Sequence, residues 1–246
     1  MNRRRSRSGN VCFCTLAIHA PYRQRARLLV ADAPDVPWIV LTDEPGDFEG
    51  LPVQAIRHKP TGPMAVDFLT KLPSTGTGRP AYHDKRFVLQ AALRDFETAI
   101  FVDADTRIRY APELPRLRSG IAVTQALQAS IAEHLTRWGT ERRPAFEQLA
   151  VHLTGTAETL QSARWCSEAL FAITKDGNET KFFEAWARAA EFLQSREVFS
   201  GEGGVIGLAA LCAGWTINYK SLTKLAASMH HEGCGPKSDY PRSTSE

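Results

Sequence analysis

Two aspartates, Asp103 and Asp105, directly follow an apolar stretch and are separated by a single alanine. If the chain stays extended there, both side chains point to the same side, and the two carboxylates repel each other unless a positive charge lies close. Carboxylate oxygens suit Mg²⁺ or Mn²⁺, which usually take one or two protein carboxylates and complete their shell with phosphate oxygens and water. The pattern therefore predicts a divalent cation that carries a phosphorylated ligand. A simple turn capped by the same aspartates is the alternative.

The elements around this pair predict where it lies. Strand-like and helix-like segments alternate, which indicates an α/β domain with a mostly parallel central sheet flanked by helices. The predicted strands are 11–18, 37–43, 51–57, 98–103, 120–126, 168–174 and 215–220. The predicted helices are 21–33, 82–96, 129–152 with a break near Gly139 or Pro144, 179–194 and 202–214. Ligands of such sheets bind beyond the carboxyl ends of the strands, where the two aspartates are expected.

Composition and charge narrow the class of protein. The chain has 246 residues, of which 43% are hydrophobic and 23% charged, as in ordinary soluble globular proteins. The formal net charge of +3 comes from arginines in residues 1–10, predicted to be a disordered basic tail, so nucleic acid is not the expected partner. Residues 11–237 are predicted to form the domain and 238–246 a second tail. No transmembrane span or secretory signal is predicted, and five cysteines without CxxC spacing indicate a reduced, cytoplasmic protein.

The stretches KRFVLQAAL and TAIFVDADTRI resemble the GT-A class of nucleotide-sugar glycosyltransferases. In that family a helix leads into a strand that ends in an Asp-x-Asp motif, and the motif holds a metal bound to the diphosphate of a sugar nucleotide. The resemblance implies a single GT-A-like (Rossmann-like) domain that uses Mn²⁺ or Mg²⁺ and a nucleoside-diphosphate sugar, foremost a UDP-sugar. It implies transfer to a hydroxyl or amine of a glycan, lipid, small molecule or protein.

The resemblance also implies a set of metal ligands. Asp105 would bind the metal directly, and Asp103 would contact the metal and the ribose. The terminal HHEGCGPK is similar to a His-x-x-Gly…Lys element of some retaining members. His230 would then complete the metal site, or His231 if the register slips, and Lys237 would grip the phosphates. An exposed pair of tail histidines is the alternative.

Residues expected to bind the donor follow from the same resemblance. Lys85 and Arg86, at the start of a helix, would contact the diphosphate, since basic side chains there suit phosphate oxygens. Asp43 would read the edge of the base. The segment from Ala17 to Tyr22 would lie over the base, with Tyr22 as a stacking ring. Each assignment has a structural alternative: a solvated helix face for the two cations, a turn for Asp43, and core packing for Tyr22.

Glu202 and Glu168 are the candidate catalytic acids. Glu202 opens an apolar helix that Ser200 could cap, and a carboxylate in the first turn is explained by the helix dipole alone. An inverting transferase needs a carboxylate base to take the proton of the acceptor hydroxyl, whereas a retaining one needs a carboxylate or amide near the anomeric carbon. The loop 58–80, with one helical turn predicted at 64–71, or the carboxyl tail would close over the donor.

Two other functions fit parts of the sequence. FVDADT matches the first motif of haloacid-dehalogenase-like phosphatases, in which Asp103 would be the nucleophile, Asp105 the acid/base and Mg²⁺ the cofactor. That fold needs an acidic pair far downstream, but after Asp105 the chain has only Asp176 and Asp239, neither beside another aspartate. The other possibility is a nucleotide-sugar-binding protein that has no catalytic activity.

Overall fold

The computed structural model of the protein describes residues 10–60, 81–124, 129–198 and 201–232. The strands are β1 Val11–Ala17, β2 Trp38–Thr42, β3 Val53–Arg57, β4 Thr98–Val102, β5 Thr106–Ile108, β6 Gly120–Val123, β7 Leu170–Thr174 and β8 Met229–His231. Six of them form a central sheet in the order β3-β2-β1-β4-β7-β6, and β5 pairs with β8 in a separate two-stranded sheet. The prediction of an α/β fold with a mostly parallel sheet is confirmed, because only β7 runs against its neighbours in the central sheet.

Helices cover both faces of this sheet. They are α1 Ala20–Asp32, α2 Lys85–Asp95, α3 Ile131–Trp138, α4 Arg143–Thr154, α5 Thr159–Ser162, α6 Glu179–Gln194, α7 Glu202–Cys212 and α8 Thr223–Ala227. One apolar core joins α2, α4, α6 and α7 to the sheet, and a second joins α1 to the opposite face. The central strands are therefore apolar on both sides, as in other sheets covered twice. In the described ranges, no helix combines the length and the apolar character needed to cross a bilayer.

Most predicted elements agree with the structure to within a few residues, and the helix 179–194 agrees at both ends. The predicted helix 129–152 is broken after Trp138, where Gly139 ends α3. The predicted strand 215–220 is wrong, because only Asn218 forms an isolated bridge, to Ala122. The short ladder between β5 and β8 was not predicted. The predicted helical turn 64–71 lies outside the described residues.

The antiparallel direction of β7 shapes the carboxyl edge of the sheet. Leu170, at the start of β7, pairs with Val102, at the end of β4. The backbone N–H of Asp103 donates to the carbonyl of Ala169 at 2.9 Å. The segment that leads into β7 therefore lies beside the segment that leaves β4, and Glu168 comes to the same edge as Asp103.

A candidate active site at the carboxyl edge of the sheet

A polar or charged residue follows each of the four parallel strands at this edge: His19 after β1, Asp43 after β2, His58 after β3 and Asp103 after β4. Because parallel strands end on the same side, these residues line one edge. The connections from β1 and β4 leave toward opposite flanks of the sheet, since β2 lies on one side of β1 and β7 on the other side of β4. A ligand crevice is expected at such a switch in strand order, which is next to Asp103.

Lys85 lies at the centre of a group of acids beside Asp103. Its Nζ is 2.9 Å from Oδ1 of Asp103 and 3.4 Å from Oε1 of Glu202, and it donates to the carbonyl of Glu168 at 3.1 Å. Nζ also lies 5.0 Å from the ring centre of Phe101. Only 6% of the surface of Lys85 is exposed. The alternative position for this lysine, on a solvated helix face, is therefore wrong. We call Lys85, Asp103, Glu168 and Glu202 the lysine–acid cluster.

The charge of Lys85 is stabilised by its neighbours. Burial disfavours the ammonium ion, but Asp103, then Glu202 and Glu168, outweigh this cost and raise the pKa of Lys85. Lys85 therefore stays protonated over the whole physiological range. A cation thus already neutralises part of the charge on Asp103 before any ligand binds.

Close packing of α7 brings the two glutamates to the cluster. The backbone N–H of Gly203 donates to Oε2 of Glu168 at 2.7 Å, so this carboxylate caps the amino end of α7. A β-carbon at Gly203 would lie 2.3 Å from the carbonyl oxygen of Cys166, which means that only glycine permits this approach. Gly201, with φ of 104°, occupies the N-cap and its backbone conformation favours glycine. The N-cap is therefore not the predicted Ser200, which lies outside the described residues.

Both glutamates are held in a low-dielectric environment. Burial raises the pKa of Glu202 well above its usual value, and the nearby Glu168 and Asp103 add to the effect while Lys85 opposes it. Burial also raises the pKa of Glu168, although Lys85 and the N–H of Gly203 favour its ionised form. Oε1 of Glu202 is buried and lies 3.4 Å from Nζ of Lys85, which is a long contact for a hydrogen bond.

Asp105 has a different partner from Asp103. Its Oδ1 lies 3.2 Å from Nδ1 of His231, and β5 and β8 hold the two segments together through the pairing of Thr106 with His231. The N–H of Thr106 donates to the carbonyl of Asp103, so the chain turns between the aspartates. The backbone is therefore not extended here, and the condition for placing both carboxylates on one side is not met.

Of the two histidines, the structure places His231 rather than His230 at Asp105. His230 pairs with Arg107 across the ladder, and both histidines are exposed. His231, named as the substitute ligand, is therefore the histidine in contact with Asp105, and the metal site itself stays a prediction. Lys237 lies outside the described residues.

Two possible donors for a divalent cation lie side by side at Asp105. Among the residues that the structure describes, no three His, Cys, Asp or Glu side chains are close enough to hold a metal by themselves. The carboxylate of Asp105 and the imidazole of His231 nevertheless offer one oxygen and one nitrogen donor side by side. Ions that keep several waters and bind phosphate oxygens need no more than this from the protein.

The residues that were expected to contact the nucleobase of the donor make mainly structural contacts. Both oxygens of Asp43 lie 3.2 Å from the backbone N–H of His19, and Oδ1 accepts from Arg23 at 2.8 Å. Ala17 is fully buried. Tyr22 packs against both apolar cores, which agrees with core packing, the alternative to a stacking role for this ring. Asp43 thus belongs to the turn that joins β1, β2 and α1.

Arg86 is also separate from the lysine–acid cluster. It donates to the carbonyl of His83 at 2.9 Å, and its guanidinium lies over the ring of Phe87 at 4.2 Å. These contacts anchor the first turn of α2. The structure therefore brings Lys85 to Asp103 but leaves Arg86 in a local role.

Sequence reasoning missed three polar residues near the start of α2. His58 contacts Asp84, with 2.8 Å between Nε2 and Oδ2, and Trp186 donates to Nδ1 of His83 at 3.2 Å. Burial, with the nearby Arg86, lowers the pKa of His83 to about 4, so the ring is neutral and accepts this bond. The run YHDKR at the start of a helix and the histidine at the end of β3 were the signals available in the sequence.

Comparison with known proteins assigns no family to the chain. No family model matches it, and no curated protein is significantly similar to it.

Proposed function

We propose that this protein is a metal-dependent, GT-A-like glycosyltransferase that moves a sugar from a nucleoside diphosphate to an acceptor hydroxyl or amine. The observation that carries the proposal is the position of the lysine–acid cluster next to the Asp105–His231 pair at the carboxyl edge of the sheet. One part offers donors for a cation that binds phosphate, and the other offers buried carboxylates for sugar hydroxyls. The two parts meet in the segment from Asp103 to Asp105.

Asp105 and His231 would hold the divalent ion, which when bound offsets the charge that develops on the departing diphosphate. Lys85 holds Asp103 in place and supplies a fixed positive charge behind it. Because Lys85 is buried, it acts on the site through Asp103 and Glu202 rather than by reaching out to the phosphates. This role differs from the diphosphate contact expected from the sequence.

Glu202 and Glu168 would bind the sugar hydroxyls and accept the proton of the acceptor group. A carboxylate oxygen of either glutamate can accept a hydrogen bond from a sugar hydroxyl. With inversion, one of these carboxylates takes the acceptor proton while the acceptor oxygen bonds to the anomeric carbon and the sugar–phosphate bond breaks. The electron pair of the broken sugar–phosphate bond leaves with the diphosphate. A raised pKa makes a carboxylate a better base near neutral pH. With retention, a carboxylate would instead stabilise positive charge at the anomeric carbon.

The phosphatase alternative lacks support at the positions it needs. Asp176 follows the end of β7, which pairs with the start of β4, so it lies at the edge of the sheet opposite Asp103. Its Oδ2 accepts from the indole N–H of Trp215 at 2.8 Å. Asp176 therefore cannot complete a metal site with Asp103, and Asp239 lies outside the described residues.

The test is release of nucleoside diphosphate from sugar nucleotides. The protein is incubated with UDP-, GDP- and dTDP-sugars, with Mn²⁺ or with a chelator, and release is measured together with the thermal shift. We expect release that requires Mn²⁺ for one of these donors and that is lost in Asp105→Ala. Inorganic phosphate from small phosphoesters, with no binding of sugar nucleotides, would refute the proposal. Binding that requires Mn²⁺ but gives no turnover with any acceptor would indicate the non-catalytic alternative.

A further inference from the structure

A second polar pair lies at the same edge, outside the lysine–acid cluster. Nε2 of His58, directly after β3, lies 2.8 Å from Oδ2 of Asp84. Asp84 is fully buried, whereas the side chain of His58 keeps 14% of its surface exposed. Burying a carboxylate is costly unless it is paired, so the pair holds the imidazole in one orientation. The ring of Phe87, 5.4 Å away between centres, packs against it.

Asp84 determines which nitrogen of His58 carries the proton. A carboxylate only accepts hydrogen bonds, so Nε2 donates to Oδ2. In the neutral ring Nδ1 then carries a lone pair. Among the described residues, no side chain or backbone group engages Nδ1 of His58. The edge of the sheet thus presents an oriented hydrogen-bond acceptor.

The position of this acceptor suits the far end of a ligand anchored at Asp103. The backbone N–H of His58 donates to the carbonyl of Thr42, so His58 lies beside the end of β2. Three strand spacings, about 14 Å, separate β3 from β4, and an extended nucleoside diphosphate is of comparable length. Asp43, the acceptor first expected to read the base, is already engaged by His19 and Arg23.

We propose that His58 accepts, through Nδ1, a hydrogen bond from the nucleoside of the donor and thereby contributes to donor selection. This inference rests on the proposed function. Two parts of a nucleoside can supply the proton: the ring N–H that uracil and guanine carry, or a ribose hydroxyl. Adenine and cytosine present a ring acceptor at the corresponding position. Asp84 is a positioning residue, because it acts on the nucleoside through the imidazole.

The experiment measures dissociation constants of UDP, GDP, ADP and CDP by calorimetry with Mn²⁺. If the base supplies the proton, UDP or GDP binds about tenfold more tightly than ADP and CDP, the worth of one hydrogen bond. The best-binding nucleotide is then compared with its ring-N-methylated or 2′-deoxy analogue. His58→Phe keeps the packing on Phe87 and removes Nδ1. It should weaken the parent nucleotide about tenfold and leave unchanged the analogue that lacks the relevant proton.

Asp84→Asn provides a second, independent variant. The amide can donate to Nε2, which moves the ring proton to Nδ1 and turns the acceptor into a donor. As with His58→Phe, we expect weaker binding of the parent nucleotide and unchanged binding of the analogue that lacks the relevant proton. His152→Phe, at an exposed histidine stacked on Phe192, is the matched control and should change nothing.

The outcomes separate the two proposals. If His58→Phe weakens the nucleotide and both analogues equally, or weakens none of them, His58 does not contact the nucleoside and the inference is overturned. If the unaltered protein binds no nucleotide in the presence of Mn²⁺, the proposed function itself fails.

Discussion

Nζ of Lys85, at the start of α2, lies 2.9 Å from Oδ1 of Asp103, at the end of β4. This ion pair joins the helix before the Asp-x-Asp motif to the motif itself. Lys85 is buried, Asp103 is partly exposed, and the lysine is shared with the buried Glu202. An ion pair in such surroundings differs from one on the surface, because removing one partner leaves the others buried and uncompensated.

Lys85→Met should therefore strongly destabilise the fold. The variant leaves Asp103, Glu168 and Glu202 without their common cation, and we expect a loss of about 3–5 kcal/mol in the free energy of unfolding. Urea denaturation at neutral pH measures it. Lys224→Met, at an exposed lysine paired with Glu113, is the control and should change stability by less than about 0.5 kcal/mol. Equal effects of the two substitutions would contradict the assignment of Lys85 as the cation that the three acids share.

Glu202→Gln should make the fold less sensitive to alkaline pH. Because the pKa of Glu202 is raised in the folded state, its stabilising contribution is complete below the ordinary glutamate range and is lost as the pH rises through the folded value. The amide has no proton to lose. In protein without added metal, we expect the melting temperature of the variant to fall less from pH 5 to pH 8 than that of the unaltered protein. Parallel curves would show that Glu202 ionises as freely as an exposed glutamate.

Glu202→Gln should also restore part of the stability lost in Lys85→Met. The double variant no longer has to bury or protonate this carboxylate on folding, so the two changes are not additive. The double-mutant cycle from four urea titrations gives the coupling energy. A coupling indistinguishable from zero would mean that the 3.4 Å contact contributes nothing.

The adjacent histidines provide a matched pair for the proposed metal site. His231→Ala should weaken Mn²⁺-dependent binding of the sugar nucleotide roughly tenfold or more, because it removes the imidazole at Asp105. His230→Ala, one residue away and exposed on the ladder, should leave binding unchanged. Calorimetric titration with and without Mn²⁺ measures both. A larger effect at His230 would reverse the assignment.

His83 should cause part of the acid sensitivity of the fold. Its pKa is lowered to about 4, so the unfolded chain takes up a proton near the ordinary histidine range while the folded protein does not. The contribution of neutral His83 to the free energy of unfolding is present above that pH range. It is lost as the pH falls toward 4, by up to about 3 kcal/mol. His83→Gln keeps an acceptor for Trp186 and should lose less stability between pH 6.5 and 4. Urea titrations at several pH values test this, with His152→Gln as control.

The sequence was sufficient to predict the fold class and the edge on which Asp103 lies. Apolar strands such as β4 are long enough to recognise, and their carboxyl ends must meet in a parallel sheet. The basic residue before the motif was also recognised, but its burial was not. Whether Lys85 faces solvent or the acids depends on residues from the start of α7, far along the chain.

Other features could not be predicted because they depend on short or non-local contacts. β5 and β8 have three residues each, and their pairing decides that His231 and not His230 reaches Asp105. The contact between His58 and Asp84 joins the end of a strand to the start of a helix across a segment with no periodic pattern. The apolar pattern of WTINYK suggested a strand, but only Asn218 reaches the sheet.

The pairing of β4 with β7 has a consequence for how the protein is made. During synthesis, β4 leaves the ribosome well before β7, and its outer backbone groups have no partner in the central sheet until β7 arrives. Asp103 cannot find its carbonyl partner at Ala169, nor Lys85 its partner Glu202, until the carboxyl-terminal half is complete. We therefore expect the site to be assembled late in folding. A nascent chain stalled before β7 would carry an unprotected strand edge, which favours aggregation.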